Sequence, residues 1–256
     1  TNNVTYSGPL TFTLGLSGQN PGTIGVPAST LITITDDEGE PSASVPATLS
    51  VTETVGTAAI PVTLNRTSTT PIVVTYTTSA GTATAGVNFI PVTGTVTFAP
   101  LDTSETISVT IPNNGFHSGS VTFAVNLTAQ SIGTVGAATT TVTITDDEAI
   151  PAAQIETPGG GGYAFGELAG PAVITVTLPY TSTGSVTVNY TTENNTATFG
   201  TDYQQTAGNL LFSSGQITGT VSVPILNNNV FTGDRYFTFR LLGQTPGTIG
   251  SPASAQ

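Results

Sequence analysis

The chain repeats itself, and that constrains its fold more than any other feature. NPGTIG at 20–25 returns as SIGTVG at 131–136 and as TPGTIG at 245–250, at offsets of 111 and 114. TITDDE closes at Glu38 and again at Glu148, an offset of 110. VTYTTSAGTATAGVNF (74–89) returns as VNYTTENNTATFGTDY (188–203), an offset of 114. A shared period of that size is the length of a small domain, so the chain is read as copies of one unit. Residues 1–38 are the tail of one repeat, 39–148 a complete repeat, and 149–256 a third that stops before its own TITDDE.

Inside each repeat the apolar residues alternate with Thr, Ser and Gly. Leu10, Phe12, Leu14 and Leu16 do so, as do Val121, Phe123, Val125 and Leu127. A period of two places one face inward and the other outward, and β-branched residues suit the pleat. Seven strands are expected in the complete repeat, near 47–53, 58–64, 72–78, 94–99, 105–111, 120–127 and 138–145. Seven short strands in one such repeat, parted by Gly, Pro and Asn turns, predict an all-β chain of tandem immunoglobulin-like β-sandwiches. Phe12, Phe123 and Phe237 occupy equivalent positions and are expected in the cores. The tail at 1–38, with two strands, is too small for a core of its own.

Composition removes several functions. Cysteine, methionine and tryptophan are absent, so thiol chemistry, disulfides and cysteine-based metal sites are impossible. Arg66, Arg235 and Arg240 are the only cations against 15 acidic residues, too few to neutralise nucleic-acid phosphates. No apolar stretch is long enough for a membrane-spanning helix. The single histidine, His117, lies in a GFHSGS turn read as exposed, and a hydrolytic triad needs a partnered base, so an enzyme is not expected. Five Asn-x-Thr sequons, at Asn3, Asn65, Asn126, Asn189 and Asn194, allow for glycan.

Strand parity gathers the acidic residues. With strands running alternately up and down, the connections after the first, third and fifth strands share an end with the close of the seventh. That end holds Glu53, the 80–89 loop, Asn113-Asn114 and Asp146-Asp147-Glu148. In the third repeat it holds Glu167, Asp202 and Asn227-Asn228-Asn229; in the first fragment, Asn2-Asn3 and Asp36-Asp37-Glu38. Hard oxygens from separate loops are what Ca²⁺ takes, six to eight of them at about 2.3–2.6 Å. Acidic turns that merely keep a surface solvated carry the same residues.

The segment GTATAG-x-[ND]-[FY], the following G-x-V/L-x-F, a strand ending in NN and the closing V-T-I-T-D-D-E resemble the Calx-beta domain over essentially the whole chain. The resemblance implies a seven-stranded sandwich with calcium at the acidic pole. Carried over by position, Glu53, Asp146 and Asp147 are implied ligands, with Glu167 and Asp202 in the third repeat. Asn113, Asn114, Asn227, Glu148, Asp36, Asp37 and Glu38 complete the candidate set. Asparagine stands where calcium-sensing members carry an acidic run, which lowers the expected affinity toward about 10⁻⁴–10⁻³ M. The expected role is a non-enzymatic extracellular or cell-surface segment of a stalk, adhesin or filament. Its expected partners are neighbouring repeats or protomers, including by strand complementation. A carbohydrate- or ice-binding module using polar loops or flat Thr-rich faces is the alternative.

Overall fold

Strict alternation of Thr or Ser with Val, Ile or Phe is realised as strands with one buried edge of side chains. The computed structural model describes residues 3–160 and 162–256, leaving Asn2 of the first fragment and Gly161 of the GGGG run outside. They form two units: residues up to Asn113 with Ser120–Thr145, and Asn114–Gly119 with the residues from Asp146 on.

In the first unit β1 (Leu10–Gly15) and β2 (Ser29–Ile34) make an isolated antiparallel hairpin. The sandwich proper begins with β3 (Ser42–Ser44) and β4 (Thr48–Thr52), then β5 (Thr57–Leu64), β6 (Ile72–Ala80), β7 (Thr93–Phe98) and β8 (Ser104–Thr110). It closes with β9 (Val121–Gln130), β10 (Thr134–Val135) and β11 (Thr139–Thr145). One sheet has the order β10-β3-β5-β8, the other β4-β11-β9-β6-β7. The two inner faces meet in a single core that includes Ile60, Val74, Phe98, Ile107, Phe123 and Val142. Phe123 stacks on Phe89 with centroids 4.4 Å apart.

Two expectations change. The expected first strand at 47–53 forms as β4, but a short strand that was not expected, β3, precedes it in the other sheet, and Pro46, with no N–H to continue a ladder, lies between them. Its carbonyl accepts the Thr140 hydroxyl at 2.7 Å instead. β3 joins the β5 sheet, and β4 pairs in parallel with β11. Phe12 is not a core residue: it is 48% exposed, beside exposed Leu10, Leu14, Leu31 and Ile34, because a two-stranded hairpin has no second layer to cover it.

The second unit repeats the plan with β12 (Gln154–Ile155), β13 (Ala172–Thr177), β14 (Val186–Asn194), β15 (Ala207–Phe212), β16 (Thr218–Val223), β17 (Phe237–Thr245) and β18 (Ser254–Ala255). Its sheets are β12-β13-β16 and β15-β14-β17-β18. Phe239 and Tyr203 are fully buried in its core, whereas Phe237 packs half-buried at the margin and stacks on Tyr203 at 4.5 Å.

The most visible sequence anchor now has a structural cause. Gly22, Gly133 and Gly247, in the three G-T-[VI]-G motifs, adopt positive φ of 116°, 84° and 87°. A Cβ at Gly133 would sit 2.0 Å from the Pro41 carbonyl, so only glycine lets this turn pass the first strand. Just before each turn a glutamine clamps the two together. The Gln244 side-chain carbonyl accepts Ala153 N–H at 2.7 Å, and its amide donates to the carbonyls of Pro151 and Pro246 at 2.8 and 2.9 Å. Gln130 does the same with Ala43 N–H and the carbonyls of Pro41 and Ile132. The equivalent Gln19 has no first strand beside it and only a 3.5 Å contact to the Pro21 carbonyl.

Candidate metal centre

Loop lengths, not side chains, bring the first unit's polar residues to one end. Main-chain bonds tie Ile111 to Gly56, Ile90 to Thr110, and Gly81 and Ala83 to Thr122. These bonds put the connections after β4, β6 and β8 together at the mouth of β9, as strand parity requires. Glu53 begins a 3₁₀ turn there, Glu53–Val55, and is 3% exposed. Asn88 is committed to its own loop: its side-chain oxygen accepts Thr84 N–H at 2.8 Å. Asn113 is exposed, and the Asn114 side chain accepts Phe116 N–H at 3.0 Å.

Asp36, Asp37 and Glu38 come together after β2, with a carboxylate oxygen from each within 4.8 Å of the others. Asp36 accepts the main-chain N–H groups of Ser7 and Gly8 at 2.6 and 2.8 Å. The Ser7 bond above all holds its pKa below the ordinary value, and a hydrogen bond with Glu38 adds to this. Glu38 is pushed the other way, mainly by that shared hydrogen bond with Asp36, then by desolvation and the charge of Asp37. Three hard carboxylates this close together are a donor set suited to a divalent cation.

The second unit uses its corresponding aspartate in the same way. Asp146 Oδ2 accepts Ser118 and Gly119 N–H at 2.8 and 2.9 Å, and His117 Nδ1 lies 2.7 Å away. Burial would raise the Asp146 pKa, but the Gly119 and Ser118 amides and the His117 charge outweigh it and leave it lowered. His117 is therefore not the exposed turn residue expected: its side chain is 20% exposed, and Nδ1 is also 2.9 Å from the Glu148 carbonyl. Asp147 is exposed and Glu148 half-buried beyond it. The Ser-Gly pair is the signal that could have revealed this anchor, since it precedes Leu10 and Val121 alike.

The anchored loops share a second contact. In the first unit Tyr6 N–H donates to the Thr67 carbonyl and Thr69 N–H to the Tyr6 carbonyl, at 3.1 and 2.8 Å. In the second unit His117 N–H donates to Thr181 O and Thr183 N–H to His117 O, at 3.2 and 2.9 Å. A lowered aspartate pKa stabilises the fold above the unfolded value near 3.8, and that stability is lost as pH falls through the lower folded-state pKa. In Asp146→Asn the urea midpoint should therefore change less than in wild type below about pH 4, where carboxylates begin to protonate. An unchanged acid limb would show that Asp146 does not carry it.

Elsewhere in the second unit, Asp202 Oδ2 accepts Thr198 N–H at 2.8 Å and faces Arg235 Nη1 at 3.4 Å. Glu167 is exposed. The side-chain amide of Asn227, turned to satisfy its neighbours, donates to Glu167 Oε2 at 3.3 Å. Glu167 and Asp202 line one cavity of about 570 Å³, which runs beside Phe237 and Phe239 to Gln256.

The model of the Calx-beta domain matches residues 43–148 and again 161–256. The chain belongs to the Calx-beta family. Among solved structures it is similar to CBD12 from CALX1.2, at 23% identity over 81% of this chain and 83% of that one, with a TM-score of 0.42. The calcium binding domain CBD12 of CALX1.1 gives 21% identity, 79% of each chain and a TM-score of 0.41. The apo-form Calx CBD1 domain gives 24% identity over 43% of this chain and all of that one, with a TM-score of 0.41. Comparison with curated protein sequences finds no significant match. Among the described residues no helix is long and apolar enough to cross a membrane.

Proposed function

We propose that this Calx-beta chain is a non-enzymatic structural segment of an extracellular or cell-surface tandem-repeat protein, such as a stalk, adhesin or filament, with weak calcium binding at its acidic poles. The observation that carries the calcium part is the Asp36-Asp37-Glu38 cluster, with a carboxylate oxygen of each within 4.8 Å of the others. Calcium would bridge the three groups and relieve their mutual repulsion. Affinity is modest, since exposed carboxylates and asparagine carbonyls supply little charge.

The structural part is supported by the shape of both units. The hairpin of β1 and β2 sets exposed Leu10, Phe12, Leu14 and Ile34 on one face, so that apolar face is suited to neighbouring repeat surface. The cavity beside β17 has apolar lining from Phe237, Phe239 and Ala255. The segment Thr30–Thr35, which follows β11 in its alternation except that Leu31 stands where β11 has Thr141, has the pattern to pack there from a neighbouring protomer. A lysine-free, Thr-rich acidic surface suits the outside of a cell.

Thermal unfolding of the whole chain in millimolar calcium and in EDTA tests the reading. At about ten times a submillimolar Kd the metal should add roughly 1–2 kcal/mol. Asp37→Asn with Glu38→Gln should remove most of that gain. Coincident wild-type curves would end the calcium reading. Sedimentation of the same samples tests assembly: a strictly monomeric chain at high concentration would exclude strand exchange between copies.

A further inference from the structure

The donor set at the pole of the second unit does not fit a calcium ion, although the family pattern carries Glu167 and Asp202 there. Asp202 already has two protein donors, the Thr198 amide and the Arg235 guanidinium. Arg235 also donates to the Thr196 carbonyl at 3.3 Å, which holds the guanidinium over the loop. Its partner's side chain is only 10% exposed, so the charge it meets is largely withdrawn from water. Glu167 faces an amide N–H of Asn227. Among the described residues, Glu167 and Asp202 join no group of three metal-ligating side chains.

The repeats provide an internal comparison. At an offset of 114, Asp202 corresponds to Asn88 and Arg235 to Val121. Asn88 and Asp202 perform the same turn-capping bond, each accepting an N–H four residues back at 2.8 Å. The negative charge and the positive charge therefore appear together in the third repeat and are missing together from the second. In a chain of net charge −12 with three cations, one of them is placed against this carboxylate.

We propose that Arg235 is the built-in counter-cation of the second unit's pole, standing where the family pattern would place a metal, so that this pole is held together without calcium. The contrast rests on the calcium reading of the other poles; the Arg235–Asp202 pairing does not. A dication at Asp202 Oδ2 would have to displace the Thr198 amide and a guanidinium that also donates to the Thr196 carbonyl, and one at the other oxygen would sit beside that guanidinium's positive charge. Calcium dependence is then divided along the chain, with metal-responsive and metal-independent poles in one molecule.

A double-mutant cycle on the full chain in EDTA tests the pairing. Asp202→Asn keeps the turn cap, as Asn88 shows, and Arg235→Val restores the residue found at 121. Each single variant should melt about 1–3 °C lower, on the scale of a partly exposed ion pair. The double variant should recover most of the loss, because it rebuilds the neutral pair of the other repeat. Additive losses would overturn the proposal. Calcium titration by calorimetry then separates the two readings. Equal stoichiometry in wild type and Asp202→Asn supports the proposal. Loss of one bound calcium in Asp202→Asn overturns it while leaving calcium binding by the chain intact. A wild type that takes up no calcium ends the calcium reading, and the cycle still decides the role of Arg235.

Discussion

Phe123→Ala should destabilise the first unit by about 3–5 kcal/mol, because the lost transfer energy of the ring and the cavity it leaves add together. The ring is 1% exposed and stacked nearly flat on Phe89, so no neighbour can collapse freely into the space. Phe12→Ala at the equivalent position of the preceding repeat is the matched control. Its ring is half exposed, and the change should stay within about 0.5 kcal/mol, the level of surface substitutions. Denaturant unfolding of both variants measures the difference. A Phe123 loss below about 1 kcal/mol would mean that the register of β9 is shifted.

Gln244→Ala should come close to that effect in the second unit, without removing any apolar burial. The amide is buried and serves three main-chain groups at once: Ala153 N–H and the carbonyls of Pro151 and Pro246. Truncation leaves all three unpaired and away from water, at about 1–3 kcal/mol for each group that cannot recover a partner. A water entering the vacated space would recover part of this, so a loss of roughly 2–5 kcal/mol is expected. Gln19→Ala, at the same place in the repeat but exposed, should be silent. If Gln244→Ala is silent too, the clamp is not what secures the first strand to the turn.

Much of this architecture is legible in the sequence because its cause is periodic. The alternation in Val121–Leu127 dictates which side chains enter the core, and the 110-residue period dictates the number of sandwiches. The meeting of the connections after β4, β6 and β8 at one end also follows, since it depends only on the alternating direction of strands. Phe12 defeats the same logic, because a pattern reports which face is apolar but not whether a second layer covers it. The short strand β3 before Pro46 is hidden for another reason: three residues are too few to show a period, and only the missing N–H of Pro46 marks the change of sheet.

The site is less legible than the fold. A carboxylate in a sequence reads as a free ligand, whereas Asp146 and Asp36 spend theirs on loop amides. Those bonds depend on loop conformation, for which residue type carries little information. Arg235 lies 33 residues from Asp202, and nothing local in the chain signals their meeting. The comparison between repeats could have found it, since the exchange of Asn88 and Val121 for Asp202 and Arg235 is written in the alignment of the chain with itself.

The contact made by Tyr6 and His117 with the Thr67–Thr69 and Thr181–Thr183 segments has an evolutionary consequence. Tyr6 and His117 each contribute main-chain groups to it, an N–H donated and a carbonyl that accepts, so a phenol and an imidazole can trade places without moving it. A linkage of this kind is blind to the identity of the residue that makes it. Sequence drift among repeats can then alter rings, charges and metal ligands freely, while the glycine and aspartate that shape the loop are kept and the contact survives as the copies diverge.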